Sequence, residues 1–303
     1  MYLRFIPSLS HHTPTMSKLC RSADGTLIYA EAAGNPANPS VVFTHGFALS
    51  GIVFDDLFAD TRMLKKLYLV RYDLRGYGRS GKPATAAGYA SELYAADFAA
   101  VAAAFALHLP VYVGWSAGAP IACDICAHLS PMPLSGVIAM SGALCADKAG
   151  ETLRPLLLEM TPKFHAPDTP TALAVRAEFV DAAFAAPERV PFAVKAAWMG
   201  STVLLTPEVT QAMRAGHRPR QAKLVEFGAQ GFPAMVLYGT DDRIQDGRVV
   251  AAEARRYFPD LEVAAVEGGS HAVFYDRLDE TVGHILPFCL RVSGKDWRSE
   301  ASR

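Results

Sequence analysis

Short apolar runs alternate with longer helical patterns along this chain. Runs that are rich in β-branched and aromatic residues and bounded by Gly, Pro, Asn or Asp are typical of strands. They occur at residues 27–30, 41–44, 67–72, 111–113, 136–140, 234–238 and 261–266. Helical patterns lie between or after them, at residues 89–107, 117–129, 247–257 and 278–292. Strands that alternate with helices predict an open, parallel α/β sheet.

Residues 146–228 have a different pattern. They contain 8 of the chain's 20 prolines among apolar helical segments, and their one ambiguous strand pattern is at 202–205. Because proline interrupts helices, this segment predicts several short helices. We interpret it as a helical cap over a core formed by residues 18–145 and 229–293. Residues 1–17 are then a flexible extension, and residues 294–303 form a C-terminal tail.

Composition narrows the class of protein. The 303 residues include 29 Lys and Arg against 30 Asp and Glu, so the net charge of −1 lacks the basic excess of a nucleic-acid binder. With 51% hydrophobic and 19% charged residues, the chain is expected to bury a large core. The longest uncharged apolar stretch, residues 98–107, is too short to span a bilayer.

The cysteines and the N-terminal residues indicate a cellular compartment. Five cysteines, at positions 20, 123, 126, 145 and 289, are too few for a disulfide scaffold, which favours reduced thiols in the cytoplasm. Residues 1–15 contain one Arg, no acidic residue and no secretory apolar run, so a mitochondrial presequence is the alternative interpretation. Nothing in the sequence indicates a homo-oligomer.

The sequence Gly114-Trp115-Ser116-Ala117-Gly118 carries the first chemical signal. It follows a predicted strand and opens a predicted helix, which is the context of a nucleophilic serine on a tight turn. Small residues are needed two positions to either side of this serine, because a side chain there would collide with the neighbouring backbone. Ser116 is therefore the candidate nucleophile.

A serine hydroxyl needs a base and a group that orients the base. His271, in a glycine-rich loop after the last predicted strand, is the candidate base. Asp242, just after the preceding strand, is the candidate acid, and Asp147 is the alternative. Asp246 is better explained as a helix N-cap. The other histidines are structural or lack a motif, and include His45, His108, His128, His165, His217 and His284.

Acyl transfer also needs donors for the oxyanion of the tetrahedral intermediate. The N–H of Ala117, directly after the nucleophile, and that of Phe47, in the loop after residues 41–44, are the candidates. An apolar pocket is predicted from Trp115 and from aromatic and methionine side chains of the cap, namely Phe164, Phe179, Phe184, Trp198 and Met199. We expect a small-molecule apolar acyl substrate of medium size.

Five motifs in order resemble those of the α/β-hydrolase superfamily, in its cap-bearing branch of serine esterases and cofactor-free haloperoxidase-like enzymes. They are residues 45–47, 73–80, 114–118, 239–242 and 269–271, and the likeness spans about residues 22–291. The resemblance implies an eight-stranded, mostly parallel sheet with a helical cap inserted after the sixth strand. It also implies the chain order Ser116, Asp242, His271 for a catalytic triad.

The chain departs from part of that branch. Haloalkane dehalogenases and epoxide hydrolases of the branch have an aspartate where this chain has Ser116, which disfavours those reactions. The resemblance leaves open esters, thioesters, lactones and carbon–carbon bonds as substrates. A ligand receptor or cyclase on the same fold is the alternative function.

No cofactor or metal is expected. The sequence Gly76-Tyr77-Gly78-Arg79-Ser80-Gly81 has the spacing of a dinucleotide fingerprint, but Lys82-Pro83 follows instead of a helix. Asp73 and Arg75 are better explained as braces of this turn. Cys123 and Cys126 lie inside a predicted helix instead of at its N-terminus, where a redox motif belongs. No cluster of His, Cys and Asp has metal-ligand spacing.

Overall fold

A twisted sheet forms the centre of the computed structural model, which describes residues 16–144, 150–164, 166 and 168–297. The described residues form eight strands. Their bounds are β1 Met16–Arg21, β2 Leu27–Gly34, β3 Ser40–Thr44, β4 Tyr68–Tyr72, β5 Val111–Trp115, β6 Gly136–Met140, β7 Ala234–Gly239 and β8 Glu262–Val266. The spatial order is β1-β2-β4-β3-β5-β6-β7-β8. Strands β1 and β2 pair antiparallel, as do β2 and β4, and the remaining pairs are parallel.

Helices lie on the faces of the sheet and in the segment between β6 and β7. The first four are α1 Asp55–Ala59, α2 Thr61–Leu64, α3 Ser91–Ala104 and α4 Ile121–His128. Between β6 and β7 come α5 Pro155–Lys163, α6 Thr169–Ala182, α7 Phe192–Val203, α8 Pro207–Gly216 and α9 Ala222–Ala229. The last three are α10 Gly247–Ala254, α11 Val273–Asp276 and α12 Leu278–Val292. None of the helices in the described ranges is both long and apolar enough to cross a membrane.

The inner strands explain the apolar runs in the sequence. Every residue of β3, β4, β5, β6 and β7 is buried, because helices cover both faces of a parallel sheet. The parallel strands all end at one edge of the sheet, and the loops after β3, β5, β7 and β8 therefore meet there. This edge is where open α/β sheets bind ligands.

The structure corrects three details of the sequence prediction. Residues 16 and 17, predicted as part of a flexible extension, belong to β1, which pairs with β2 along its whole length. The ambiguous strand at 202–205 is wrong, since Thr202 and Val203 are the last residues of α7. The predicted end of the cap at residue 228 falls inside α9, and that helix packs against α4 of the core.

Candidate active site

The turn after β5 holds Ser116 in a strained conformation. Its φ angle is +52°, in the left-handed region that L-residues other than Gly rarely occupy. A Cβ at Gly114 would lie 2.4 Å from the Ala119 Cα, and one at Gly118 would lie 2.7 Å from the Thr44 carbonyl oxygen. The two glycines therefore let the backbone pass close on both sides of the serine, which is what the motif requires.

A hydrogen bond joins two of the other candidates. His271 Nδ1 lies 2.8 Å from Asp242 Oδ2, and both residues are buried. The second carboxylate oxygen of Asp242 accepts from the N–H groups of Ile244 at 2.8 Å and Gln245 at 2.9 Å. Because a carboxylate oxygen accepts hydrogen bonds, His271 Nδ1 is the donor to Asp242, and Nε2 is the ring nitrogen that is left for a second partner.

Trp115 orients His271 from the other side. Its indole Nε1 donates to the His271 carbonyl oxygen at 2.8 Å, and the two ring centroids are 5.3 Å apart. The hydroxyl of Ser116 makes no hydrogen bond to any residue in the described ranges, and the side chain is partly exposed. Trp115 thus fixes the histidine loop, while the serine hydroxyl is left unengaged.

The alternative acids differ in their surroundings. Asp241 is exposed at the surface. Asp246 caps α10 by accepting from the Arg248 N–H at 3.1 Å, as predicted. Asp147 lies outside the described residues. Among the acids that the structure describes after β6 and β7, Asp242 is the one bonded to His271.

The loop after β3 is fixed by His45. Its Nε2 accepts from the Leu74 N–H at 3.0 Å, and its Nδ1 donates to the Gly46 carbonyl oxygen at 2.8 Å. Burial lowers the pKa of His45, in keeping with a neutral ring that uses both nitrogens structurally. A Cβ at Gly46 would lie 3.0 Å from the Ser116 Cβ, so this loop packs directly against the serine.

The two oxyanion candidates flank that contact. Phe47 follows Gly46, and Ala117 follows Ser116 at the start of a 3-10 turn. Within the described residues, neither N–H donates to another protein group. Both donors are therefore available to a ligand on the serine.

The loop that carries His271 is also tied to the segment after α6. The Ser270 hydroxyl donates to the Ala183 carbonyl oxygen at 2.5 Å, and the Ala272 N–H donates to the same oxygen at 2.8 Å. Asp276 accepts from the Ser270 N–H at 3.1 Å and from the Ala185 N–H at 3.2 Å. Sequence reasoning missed these positioning contacts, because they join residues about 90 positions apart.

A cavity of about 320 Å³ opens at Ser116. Its lining includes Phe47 and Ala117 from the core loops, and Leu157, Phe179 and Met213 from the helices between β6 and β7. A second cavity of about 300 Å³ shares Phe47, Ser116, Ala117, Leu157, His217 and Ile244 with the first. The serine thus lies where two largely apolar spaces meet.

Four of the residues predicted to form the pocket do not line the cavity. Trp115, Phe164 and Trp198 are fully buried, and Met199 is half buried with its Sδ 3.6 Å from the Thr202 hydroxyl. None of the four is among the described residues that line either cavity at Ser116. Large aromatic rings pack into the interface between the core and the inserted helices, so the pocket surface itself is formed by other residues. Of the residues named for the cap, Phe179 does line the cavity.

The buried aromatic side chains behind the cavity still support the residues that line it. Phe164 packs edge-on against Phe47 and Phe179, with centroid distances of 5.4 and 5.3 Å. Trp198 packs against Trp115 at 5.8 Å and against Phe184 at 4.7 Å. These contacts position the cavity walls without reaching the cavity.

The turn after β4 has a structural role. Asp73 accepts from the N–H groups of Gly51 at 2.7 Å and Arg79 at 2.8 Å, while Arg75 is fully buried and makes a bidentate ion pair with Asp97. These contacts brace the loops as the sequence suggested. Asp97 lies 21 positions after Gly76, where a dinucleotide-binding chain has the acid that binds the ribose, but here its carboxylate is paired with Arg75. Cys123 and Cys126 are buried within α4.

Sequence reasoning found no role for His217, but the structure places it at the site. It follows α8 and lines both cavities at Ser116, and its Nε2 lies 2.7 Å from Asp124 Oδ2 of α4. The two residues are 93 positions apart, and no local motif marks either of them.

Comparison with known proteins identifies the family. Residues 39–278 match the description "alpha/beta hydrolase fold". The chain belongs to this family. Part of it is 38% identical, over 101 residues, to a Mycobacterium tuberculosis protein named "Probable oxidoreductase EphD". A segment of equal length is 39% identical to a non-heme chloroperoxidase of Streptomyces lividans. These alignments cover about a third of this chain, and 17% and 34% of the two relatives.

Solved structures extend the likeness over most of the chain. The esterase RhEst1 from Rhodococcus sp. ECU1013 is 25% identical, with a TM-score of 0.78, and covers 91% of this chain and 99% of its own. The bromoperoxidase from Bacillus anthracis has a TM-score of 0.72 at 19% identity and covers 90% of this chain. Both share the α/β-hydrolase fold seen here.

Proposed function

We propose that this α/β-hydrolase is a serine hydrolase that cleaves a carboxylic ester, or a related lactone or thioester, through an acyl-enzyme. The observation that carries the proposal is the buried hydrogen bond of 2.8 Å between His271 and Asp242, in loops at the same sheet edge as the strained Ser116. The likeness to an esterase over nearly the whole chain supports the same class of reaction.

The reaction divides into two acyl transfers. In the first, His271 Nε2 takes the proton of the Ser116 hydroxyl as the Oγ attacks the substrate carbonyl. The N–H groups of Phe47 and Ala117 stabilise the oxyanion, and the leaving alcohol takes the proton from His271 as its bond to the acyl carbon breaks. Asp242 holds the ring in the required tautomer and offsets its charge.

Water completes the cycle in the second transfer. His271 takes a proton from the water as its oxygen attacks the acyl carbon of the ester on Ser116. The tetrahedral intermediate collapses, the Ser116 Oγ leaves with the proton from His271, and the carboxylic acid departs. Each proton that His271 accepts is returned, so the enzyme is regenerated unchanged.

The size and lining of the two cavities at Ser116 support one class of substrate. Their walls are mainly apolar, and a volume of about 320 Å³ is at the lower end for drug-sized ligands. The second space at Ser116 gives room for a group on the other side of the scissile bond. We therefore assign a medium-sized, mainly apolar acyl substrate.

Kinetics with p-nitrophenyl esters of two to twelve carbons test the proposal. We expect the highest kcat/KM at intermediate chain length, and a loss in kcat of at least about 10³-fold in Ser116→Ala and in Asp242→Asn. Asp241→Asn, a change at the exposed neighbour, is the matched control and should retain kcat. Unchanged turnover in Ser116→Ala would refute the mechanism, and a wild-type protein that binds the esters without hydrolysing them would favour a receptor.

A further inference from the structure

The end of α8 brings two basic side chains to the cavity at Ser116. Arg214 and His217 are three residues apart and both line this cavity. Side chains at this spacing lie on the same face of a helical turn. The described lining residues of the cavity include no Asp or Glu.

His217 is held in a fixed orientation. Its Nε2 donates to Asp124 Oδ2 at 2.7 Å, and its ring lies on that of Tyr94 with a centroid distance of 4.1 Å. Asp124 is fully buried, and its other oxygen has no hydrogen-bond partner in the described part of the chain. The acid that anchors His217 is therefore shielded from the cavity, while Nδ1 of the ring has no described protein partner.

Arg214 supplies the permanent charge. Its side chain is exposed and forms no ion pair with a described residue, and Arg218 contacts only its backbone carbonyl oxygen. A guanidinium stays protonated in proteins and offers donors in a planar fork that matches a carboxylate. A residue that is exposed and also lines the cavity lies where the cavity meets solvent. The cavity thus runs from the serine along apolar walls to a cation.

We propose that Arg214 and His217 form a subsite for an anionic group, so that the substrate is an ester whose apolar chain ends in a carboxylate. The apolar part of the chain would lie against Phe47, Phe179 and Met213, and its carboxylate would accept hydrogen bonds from Arg214. Nδ1 of His217 would add a second donor in the form in which both nitrogens of the ring carry a proton, with Asp124 as its counter-ion. This inference rests on the proposed function and adds the chemical class of the substrate.

Two matched pairs of esters test the subsite on each side of the scissile bond. On the acyl side, mono-p-nitrophenyl adipate is compared with p-nitrophenyl hexanoate. On the alcohol side, the hexanoate ester of 6-hydroxyhexanoic acid is compared with hexyl hexanoate, with product acid measured by chromatography. The readout is the ratio of kcat/KM for the carboxylate ester to that for its neutral partner.

We expect this ratio to exceed one for the wild type in at least one pair. Arg214→Gln and His217→Asn should each lower it by about tenfold, the effect of losing one charge-assisted hydrogen bond. Arg220→Gln is the control. Arg220 is an exposed arginine in the connection between α8 and α9 that does not line the cavity, so this variant should leave the ratio unchanged. If His217→Asn leaves the buried Asp124 without its partner and fails to fold, Arg214→Gln alone tests the subsite.

The outcomes separate the subsite from the hydrolase. If the wild type cleaves the neutral esters but neither ratio exceeds one, or if neither ratio responds to Arg214→Gln, the subsite is refuted and the hydrolase stands. If the wild type cleaves none of the four esters and Ser116 is not labelled by a fluorophosphonate, both proposals fail.

Discussion

At the scale of single residues, the turn at Ser116 depends on two glycines, because no side chain fits at their positions. Gly114 and Gly118 are surrounded by backbone atoms closer than any Cβ would tolerate. The sequence motif predicts both glycines, although only Gly114 is crowded by residues near it in the chain, Gly118 and Ala119, while Gly118 is crowded by Thr44 and His45 at the end of β3. It could not predict that His45 and Trp115 orient the site, since their partners, Leu74 and His271, come from distant loops.

A substitution at Gly114 tests this steric account. In Gly114→Ala the new methyl group would lie 2.4 Å from the Ala119 Cα, and we expect a loss of about 1–3 kcal/mol in the free energy of unfolding, from overpacking. Gly200 of α7 has open space around its Cβ position, so Gly200→Ala should stabilise the protein by about 0.5–1 kcal/mol. Urea denaturation measures both, and equal stability of Gly114→Ala and wild type would contradict the account.

At the scale of elements, the sequence predicts seven of the eight described strands and misses β1, one of the two edge strands. Strands β3 and β5 read as continuous apolar runs because both of their faces are covered. Strand β1 escaped prediction because it lies at the sheet edge, where Met16 and Leu19 are exposed and Cys20 is the residue that is buried. The helix α12 was predicted with its observed bounds, since its apolar stripe is regular.

The pairing of β2 with β4 gives a prediction on pH. Glu31 lies directly opposite Arg71, and their side chains form an ion pair of 2.8 Å. Burial acts to raise the pKa of Glu31, but the hydrogen bond from Tyr29 and the charges of Arg71 and Arg79 outweigh it and lower the pKa. A lowered pKa stabilises the fold above the ordinary value of about 4.3, and this stability is lost as the pH falls through the folded-state pKa.

We therefore expect Glu31→Gln to flatten the acid side of the stability profile. Between about pH 5 and pH 3, the free energy of unfolding should fall more steeply for the wild type than for this variant. Glu280→Gln, at an exposed position of α12, is the control and should follow the wild type. Urea denaturation across this pH range decides the matter, and parallel curves for Glu31→Gln and wild type would contradict the assignment.

At the scale of the whole molecule, topology explains why residues far apart in sequence could be grouped correctly. Loops after parallel strands meet at one edge of the sheet, so the neighbourhood of Asp242 and His271 follows from chain order. The pocket wall could not be predicted in the same way, because it depends on how the helices between β6 and β7 pack on the core. That packing buries Trp198 behind the wall and brings His217 to Asp124.

The central claim is that Ser116 is the nucleophile, and covalent labelling tests it most directly. We expect a fluorophosphonate to add one label per folded chain, on the proteolytic peptide that contains Ser116, as measured by mass spectrometry. Labelling should slow in His271→Ala, which lacks the base, and should disappear in Ser116→Ala and in urea-denatured protein. A label that persists in folded Ser116→Ala, or that maps to another residue of the wild type, would contradict the account.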